Sequence, residues 1–309
     1  MWSIDFGGDG LILRPTAVPS RRVNCHELNR GIASRYLVLR GFLPPDDVET
    51  LLARSKTLLQ EFSLEDHPLT KFTTGDDAGK GHIGDAYFLE SGDKIRYFLE
   101  EDAVMDGKLT RPKDKAVNKI GHALHELDPA FRKVTLENDR MRAVVRDLQF
   151  HRDPVALQSM VITKQPQIGK SRLYTDPPSA LGFWIALEQC TATNGALSFL
   201  PGSHLTTPLT KRFVRVPGGG TGFEPLVSPE LAEEVAAQSK AASDSYVLET
   251  CEPGDLILIH GSVLHKSERN SSDKTRFAYT FHMIESGATY DEKNWLQPTA
   301  AMPFSRILA

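Results

Sequence analysis

The second half of the chain is a succession of short apolar runs cut by turns, and this pattern constrains the fold most. The runs are "ALQSMVITK" (156–164), "ALGFWIALEQC" (180–190), "GALSFLPGSH" (195–204), "DLILIHGSVLH" (255–265) and "RFAYTFHMI" (276–284). Between them stand "DPPS", "TATNG", "VPGGGTG" and "EPGD", the residues from which turns and loops are built. Many short strands joined by Gly/Pro turns predict a β-sandwich or barrel.

Ahead of residue 155 helical patterns dominate. "PPDDVETLLARSKTLLQEF" (44–62) opens on prolines and acids, as a helix N-terminus prefers, and repeats Val48, Leu51, Leu52, Leu59 and Phe62 at helical spacing. "DPAFRKVTLENDRMRAVVRDL" (128–148) follows the same logic, with Asp128 as candidate N-cap and Phe131, Val134, Met141, Val144, Val145 and Leu148 on one side. The expected class is therefore α+β, one domain over 1–309. A mainly helical cover (1–154) lies over a β core (155–285), with a Gly/Ser-rich insertion or lid at 205–245 and a tail at 286–309.

Composition narrows the function classes. At 309 residues, 40% hydrophobic and 25% charged, the chain can bury a sizeable core as an ordinary soluble globular protein. Its net charge of −4 argues against a nucleic-acid partner, which would call for a basic face. Cys25, Cys190 and Cys251 have no metal-type spacing and suit reduced thiols of a cytoplasmic protein. The N-terminus does not read as a signal peptide, and no apolar stretch is long enough to span a membrane. A small-molecule substrate is expected, with the oligomeric state left open.

The segment "CEPGDLILIHGSVLHKSERNSSDKTRFAYTFHM" (251–283) carries the strongest chemical signal. A neutral imidazole at His265 can ligate a metal, and the Arg276 guanidinium can take a carboxylate bidentately. Taken singly, His265 reads as a satisfied core histidine and Arg276 as an ion-pair partner. The flanking sequence changes that balance. "SGDKIRYFLE", "NKIGHALHELDPAF", "LQSMVITKQP", "GFWIALE", "FLPGSH", "LIHGSVLHKS" and "RFAYTFHMIE" together resemble the phytanoyl-CoA dioxygenase family of iron(II)- and 2-oxoglutarate-dependent oxygenases. The resemblance runs from "YLVLRGFLPPDDV" (36–48) to "NWLQPT" near the C-terminus. It implies a double-stranded β-helix (jelly-roll, cupin-like) core covered by N-terminal helices. It also implies an activity that couples decarboxylation of 2-oxoglutarate to oxidation of a small organic substrate. By position, His265 matches the distal iron ligand. Arg276 and Ser267 match the grip on the far carboxylate of 2-oxoglutarate, and Lys119, Met160 and Trp184 match further contacts to that co-substrate.

The family's iron site is a two-histidine, one-carboxylate triad. Its H-x-D pair belongs between the "KQP…G" segment and the "LYT" turn, where this chain has only Lys170, Ser171 and Arg172. Elsewhere the chain offers His151-Arg152-Asp153, which precedes the "QSMVITK" strand, and Asp176, which has no histidine beside it. His260 is expected on the opposite face of the strand that carries His265. None of these restores the triad. The resemblance thus implies Fe(II) and 2-oxoglutarate as cofactors, while the chain as written lacks two of three iron ligands. The alternative is a catalytically inactive isoform or pseudoenzyme that keeps part of the 2-oxoglutarate pocket.

Overall fold

The computed structural model describes residues 36–70, 85–163, 175–267, 270–272 and 275–308, and the backbone of 2–7 and 10–15. Residues 170–172, where the H-x-D pair is expected, lie outside the described residues, as does Cys25.

The first half of the chain supplies strands β1 (Trp2–Gly7), β2 (Gly10–Pro15), β3 (Tyr36–Leu39), β4 (Ile95–Leu99), β5 (Val104–Met105), β6 (Lys108–Leu109) and β7 (Val117–His122). There follow β8 (Pro154–Thr163), β9 (Leu181–Ala186), β10 (Leu197–Phe199), β11 (Lys211–Arg215), β12 (Thr221–Pro225), β13 (Val247–Glu249), β14 (Leu256–His260), β15 (His265–Ser267), β16 (Phe277–Glu285) and β17 (Ser305–Arg306). The main sheet runs β1-β2-β3-β14-β9-β16-β8-β7-β4, with β17 added beside β8, and a small sheet runs β13-β10-β15. This is the expected α+β jelly-roll.

Side chains alternate across a strand, so residues paired in register share a face. Phe281 pairs with Phe183, and Phe183 with Leu258. Their face packs on the helices, in one cluster that draws residues from Leu37 to Ile307. Trp184, Ala186, Ile257 and Ala278 lie on the other face and pack with Leu197 and Phe199 of the small sheet. The two sheets therefore close over a shared interior.

The helix Pro45–Glu61 begins as its sequence dictates, with Pro at the first turn and Asp46 and Asp47 against the helix dipole. It buries Val48, Leu51, Leu58 and Leu59 against the core. The 128–148 pattern is two helices, not one. Asp128 caps Pro129–Thr135 by accepting from the Ala130 N–H, and Asn138 starts a second helix, Asp139–Leu148, by accepting from the Met141 N–H at 3.0 Å. Both halves keep their apolar residues on the core, so periodicity persists across the break.

The expected helical cover also contains strands of the main sheet. β3 and β7 are buried along their whole length, so they lack the apolar/polar alternation that marks a half-exposed strand. The run 255–265 divides as well, into β14 of the main sheet and β15 of the small one. At Gly261 a Cβ would sit 2.7 Å from the Ala180 carbonyl oxygen, so only glycine fits where the chain crosses between sheets. His260 and His265 consequently belong to different sheets and are not opposite faces of one strand.

Segment 205–245 forms the β11–β12 hairpin and the helix Pro229–Ala241, with Gly218, Gly219 and Gly220 at positive φ near the hairpin turn. The hairpin is tied to the tail, where the Arg215 N–H donates to the Lys293 carbonyl at 2.8 Å and Arg215 Nε donates to the Trp295 carbonyl at 2.7 Å. Cys190 and Cys251 are free and buried. No helix among the described residues is long and apolar enough to cross a membrane.

Candidate functional site

A polar band crosses the apolar interior between the sheets. Met160, Thr280 and Trp184 stand side by side on β8, β16 and β9. One row along, Lys119 pairs with Ile162, which pairs with Ala278. Arg276 precedes β16 by one residue and continues the alternation of Ala278 and Thr280 inward. From the small sheet, His265 and Ser267 pair with Phe199 and Leu197, whose side chains belong to the interior cluster. Local sequence thus places residues from five strands in one space by simple alternation.

Arg276 anchors one end. It is 1% exposed, and its NH2 donates to the Gly195 carbonyl at 2.9 Å. Ser267 Oγ donates to the same carbonyl at 2.7 Å, which sets the serine and the guanidinium side by side. The guanidinium carbon lies 5.4 Å from the centre of the Trp184 ring, within range of a cation–π contact. Arg276 Nε and NH1 are buried and have no hydrogen-bond partner among the described residues. Burial pushes its pKa down from the usual value, an effect that the electrostatics of Cys190, Cys251 and Glu188 oppose. Charged donors left without an acceptor suit a carboxylate or another anion.

Lys119 is 7% exposed, and burial lowers its ammonium pKa to about 7. His282, further along β16, is lowered to about 4 by burial and then by the charges of His265 and Lys119. His265 shares a 3.1 Å hydrogen bond between Nδ1 and the Val263 carbonyl. A carbonyl only accepts, so Nδ1 carries a proton.

Among the described residues the donor set does not make an iron triad. Among the described residues no three His, Cys, Asp or Glu side chains are grouped to hold a metal ion. Residues 164–174 contain none of those four types. His151 Nε2 donates to the Ser179 carbonyl at 2.6 Å, and Asp153 pairs with Arg306 at the start of β8. Asp176 is exposed and bridges to Thr289, while the His260 ring packs against Phe150 and His204. These four residues each make structural contacts of their own.

Sequence reasoning missed Thr280, His282, Gln158 and Gly195. The first two were accessible from the parity of "RFAYTFHM", since positions 276, 278, 280 and 282 share a face. Gln158 is the register partner of His282. Gly195 contributes only a carbonyl, which carries no side-chain signal.

The profile of the phytanoyl-CoA dioxygenase (PhyH) family matches residues 36–278. A Bos taurus protein named phytanoyl-CoA dioxygenase domain-containing protein 1 is 42% identical over 87% of this chain and 93% of its own length. The crystal structure of a non-heme alpha ketoglutarate dependent carbocyclase from nogalamycin biosynthesis superposes with TM-score 0.58 at 16% identity, over 93% of this chain and all (100%) of that one. The S. alaskensis protein EctD, crystallised with 2-oxoglutarate and 5-hydroxyectoine, gives TM-score 0.52 at 18% identity, over 90% of this chain and 84% of that one. The two structural likenesses show the jelly-roll fold; the sequence matches show that the chain belongs to the phytanoyl-CoA dioxygenase family.

Proposed function

We propose that this chain binds 2-oxoglutarate in the space between its sheets and that its iron centre is incomplete. Arg276, positioned beside Ser267, would take one carboxylate, Lys119 would supply a second positive charge, and Trp184 and Met160 would wall the carbon chain. The observation that carries this reading is the pair of buried Arg276 donors, Nε and NH1, with no partner among the described residues. A guanidinium is rarely left so, because an unmet buried donor is costly and a charged one more so. For iron, His265 is the single ligand that the resemblance implies, and no oxygenation step is derived for the chain. The family's 2-oxoglutarate-dependent oxidation of a small organic substrate would need ligands beyond those described.

The test is thermal melting with 2-oxoglutarate, in the presence and absence of Fe(II) under nitrogen, followed by succinate measurement in air with ascorbate. At a hundred times its dissociation constant, 2-oxoglutarate should stabilise the fold by about 2.7 kcal/mol. Fe(II) should add nothing to that shift, and succinate should form at the rate seen without protein. Absence of any 2-oxoglutarate effect refutes the binding reading. Rapid succinate formation abolished by His265→Ala refutes the incomplete iron centre.

A further inference from the structure

We propose that His122, Gln158 and Trp295 form a second recognition point in the inter-sheet interior, one that takes the hydroxyl group of an otherwise apolar ligand. The proposal rests on reading that interior as a ligand site, and it identifies the class of molecule that would share it with 2-oxoglutarate. His122 is 0% exposed, Gln158 4% and Trp295 3%. Each has one buried polar atom without a hydrogen-bond partner among the described residues: His122 Nε2, Gln158 Oε1 and Trp295 Nε1. Isolated cases of this kind occur, but buried polar atoms are satisfied in the large majority, and these three come from separate elements.

The three are neighbours. The rings of His122 and Trp295 lie 5.0 Å apart. The Gln158 amide nitrogen approaches His282 Nδ1 at 3.4 Å, and His282 in turn acts electrostatically on His122. The rings of Phe98 and Phe88 close on His122 at 5.2 and 5.6 Å, so the surroundings are aromatic.

Hydrogen-bond polarity then selects the ligand. Ser91 Oγ donates its one proton to the Phe88 carbonyl at 2.5 Å. Its 2.7 Å contact with His122 Nδ1 must therefore be accepted by the serine, which fixes the proton on Nδ1 and leaves Nε2 as an acceptor. Burial, with the charges of Lys119 and His282, holds this imidazole neutral by lowering its pKa well below the usual histidine value. Gln158 Oε1 is a second acceptor, and Trp295 Nε1–H is a donor. A hydroxyl both donates and accepts, so it matches this set. A carboxylate would face two lone pairs, and an ammonium would leave the tryptophan donor unmet close to Lys119.

Arg276 and His282 are separated by six residues of nearly continuous strand, about 20 Å at the usual rise per residue. A short dicarboxylate held at Arg276 does not span that distance. The second recognition point thus addresses a different molecule in the same interior.

The experiment follows the Trp295 indole N–H signal by ¹H–¹⁵N NMR, assigned through Trp295→Phe. The full chain is titrated with benzyl alcohol and, separately, with toluene, which has the same ring without the hydroxyl. Benzyl alcohol should move the Trp295 signal and toluene at equal concentration should not. His122→Phe and Gln158→Leu should each weaken the benzyl alcohol response at least tenfold. Equal responses to the two probes overturn the proposal, as does an unmoved signal, which would mean that the atoms meet ordered water only. An unchanged response in both variants overturns it too. If a variant fails to fold, the two-probe comparison on the unaltered chain still decides. Arg276→Met with 2-oxoglutarate runs in parallel. A benzyl alcohol response that survives where the 2-oxoglutarate response is lost separates this proposal from the dicarboxylate reading.

Discussion

Replacing Arg276 by methionine distinguishes an arginine kept for a ligand from one kept for the fold. Without ligand, the substitution removes two buried donors that lack partners, a relief of roughly 1–3 kcal/mol each. It also removes the charged hydrogen bond to the Gly195 carbonyl, roughly 1.5–3 kcal/mol, and the contact over the Trp184 ring, roughly 0.5–2 kcal/mol. Gly195 keeps the Ser267 hydroxyl, so no acceptor is orphaned in exchange. The terms nearly cancel, and the variant without ligand should lie within about 2 kcal/mol of the unaltered chain. For 309 residues at about 2.1 cal/mol/K each, that is about 3 °C in Tm. With ligand the two proteins diverge. At a hundred times its dissociation constant for the unaltered chain, 2-oxoglutarate should raise that chain's melting temperature by about 4 °C and the variant's by about 1 °C at most. Truncating one partner of a desolvated charge pair costs about 2–5 kcal/mol, so affinity should fall at least thirtyfold, read by calorimetric titration. A variant that melts about 8 °C lower without ligand, yet is still stabilised by 2-oxoglutarate, would show that Arg276 supports the fold and refute the argument.

Lys119 gives a pH-dependent test. Its pKa is about 7 when buried, against 10.5 for a lysine in water, so between those values the unfolded chain binds more protons than the folded one. Stability should therefore rise as pH climbs from about 7 toward 10.5, and Lys119→Met should remove that component of the rise. Urea denaturation at both ends of the window measures it, and identical pH profiles for the two proteins reject the buried-lysine account. His265→Ala should leave the 2-oxoglutarate melting shift within error, since iron is not required for that binding; a lost shift argues for a metal held there. Asn138→Ala should cost about 1 kcal/mol in a urea melt by removing the cap on the Met141 N–H. No change would mean that the break at 136–138 does not depend on that side chain.

What the sequence disclosed and what it concealed follow from the physics of each element. Helix Pro45–Glu61 was readable because acids, proline and a spaced apolar face all agree at its start. β16 was readable as a bounded apolar run, and its inward residues were accessible by parity. β3 and β7 were not, since strands buried on both faces carry no alternation, and their residues merged into a segment that reads as helical. The crossing at Gly261 was hidden because one glycine inside an apolar run looks like part of a strand, and only the approach of the Ala180 carbonyl gives it meaning. At the site, His265, Ser267 and Arg276 come together through the shared Gly195 carbonyl or the facing sheets, which spacing does not encode. His122 and Trp295 stand 173 positions apart in the chain (295 − 122), and no periodicity links them.

The two faces of β16 separate residues that hold the fold from residues of the candidate site. Phe277, Tyr279, Phe281 and Met283 face the helices and belong to the large core cluster, with Phe281 stacked on Phe183 at 4.6 Å. Arg276, Thr280 and His282 face the small sheet. Folding free energy scales with apolar area removed from water, so most of it comes from the helix-facing side. In the small sheet β15 pairs with β10 alone among the described residues. The interval 164–174 falls between β8 and β9. Leu51, Phe131, Phe183 and Phe281 of the helix-facing layer all lie outside that interval. The Arg276 grip is built from Arg276, Ser267 and the Gly195 carbonyl, none of which lies in that interval, so the proposed dicarboxylate binding would not require its residues.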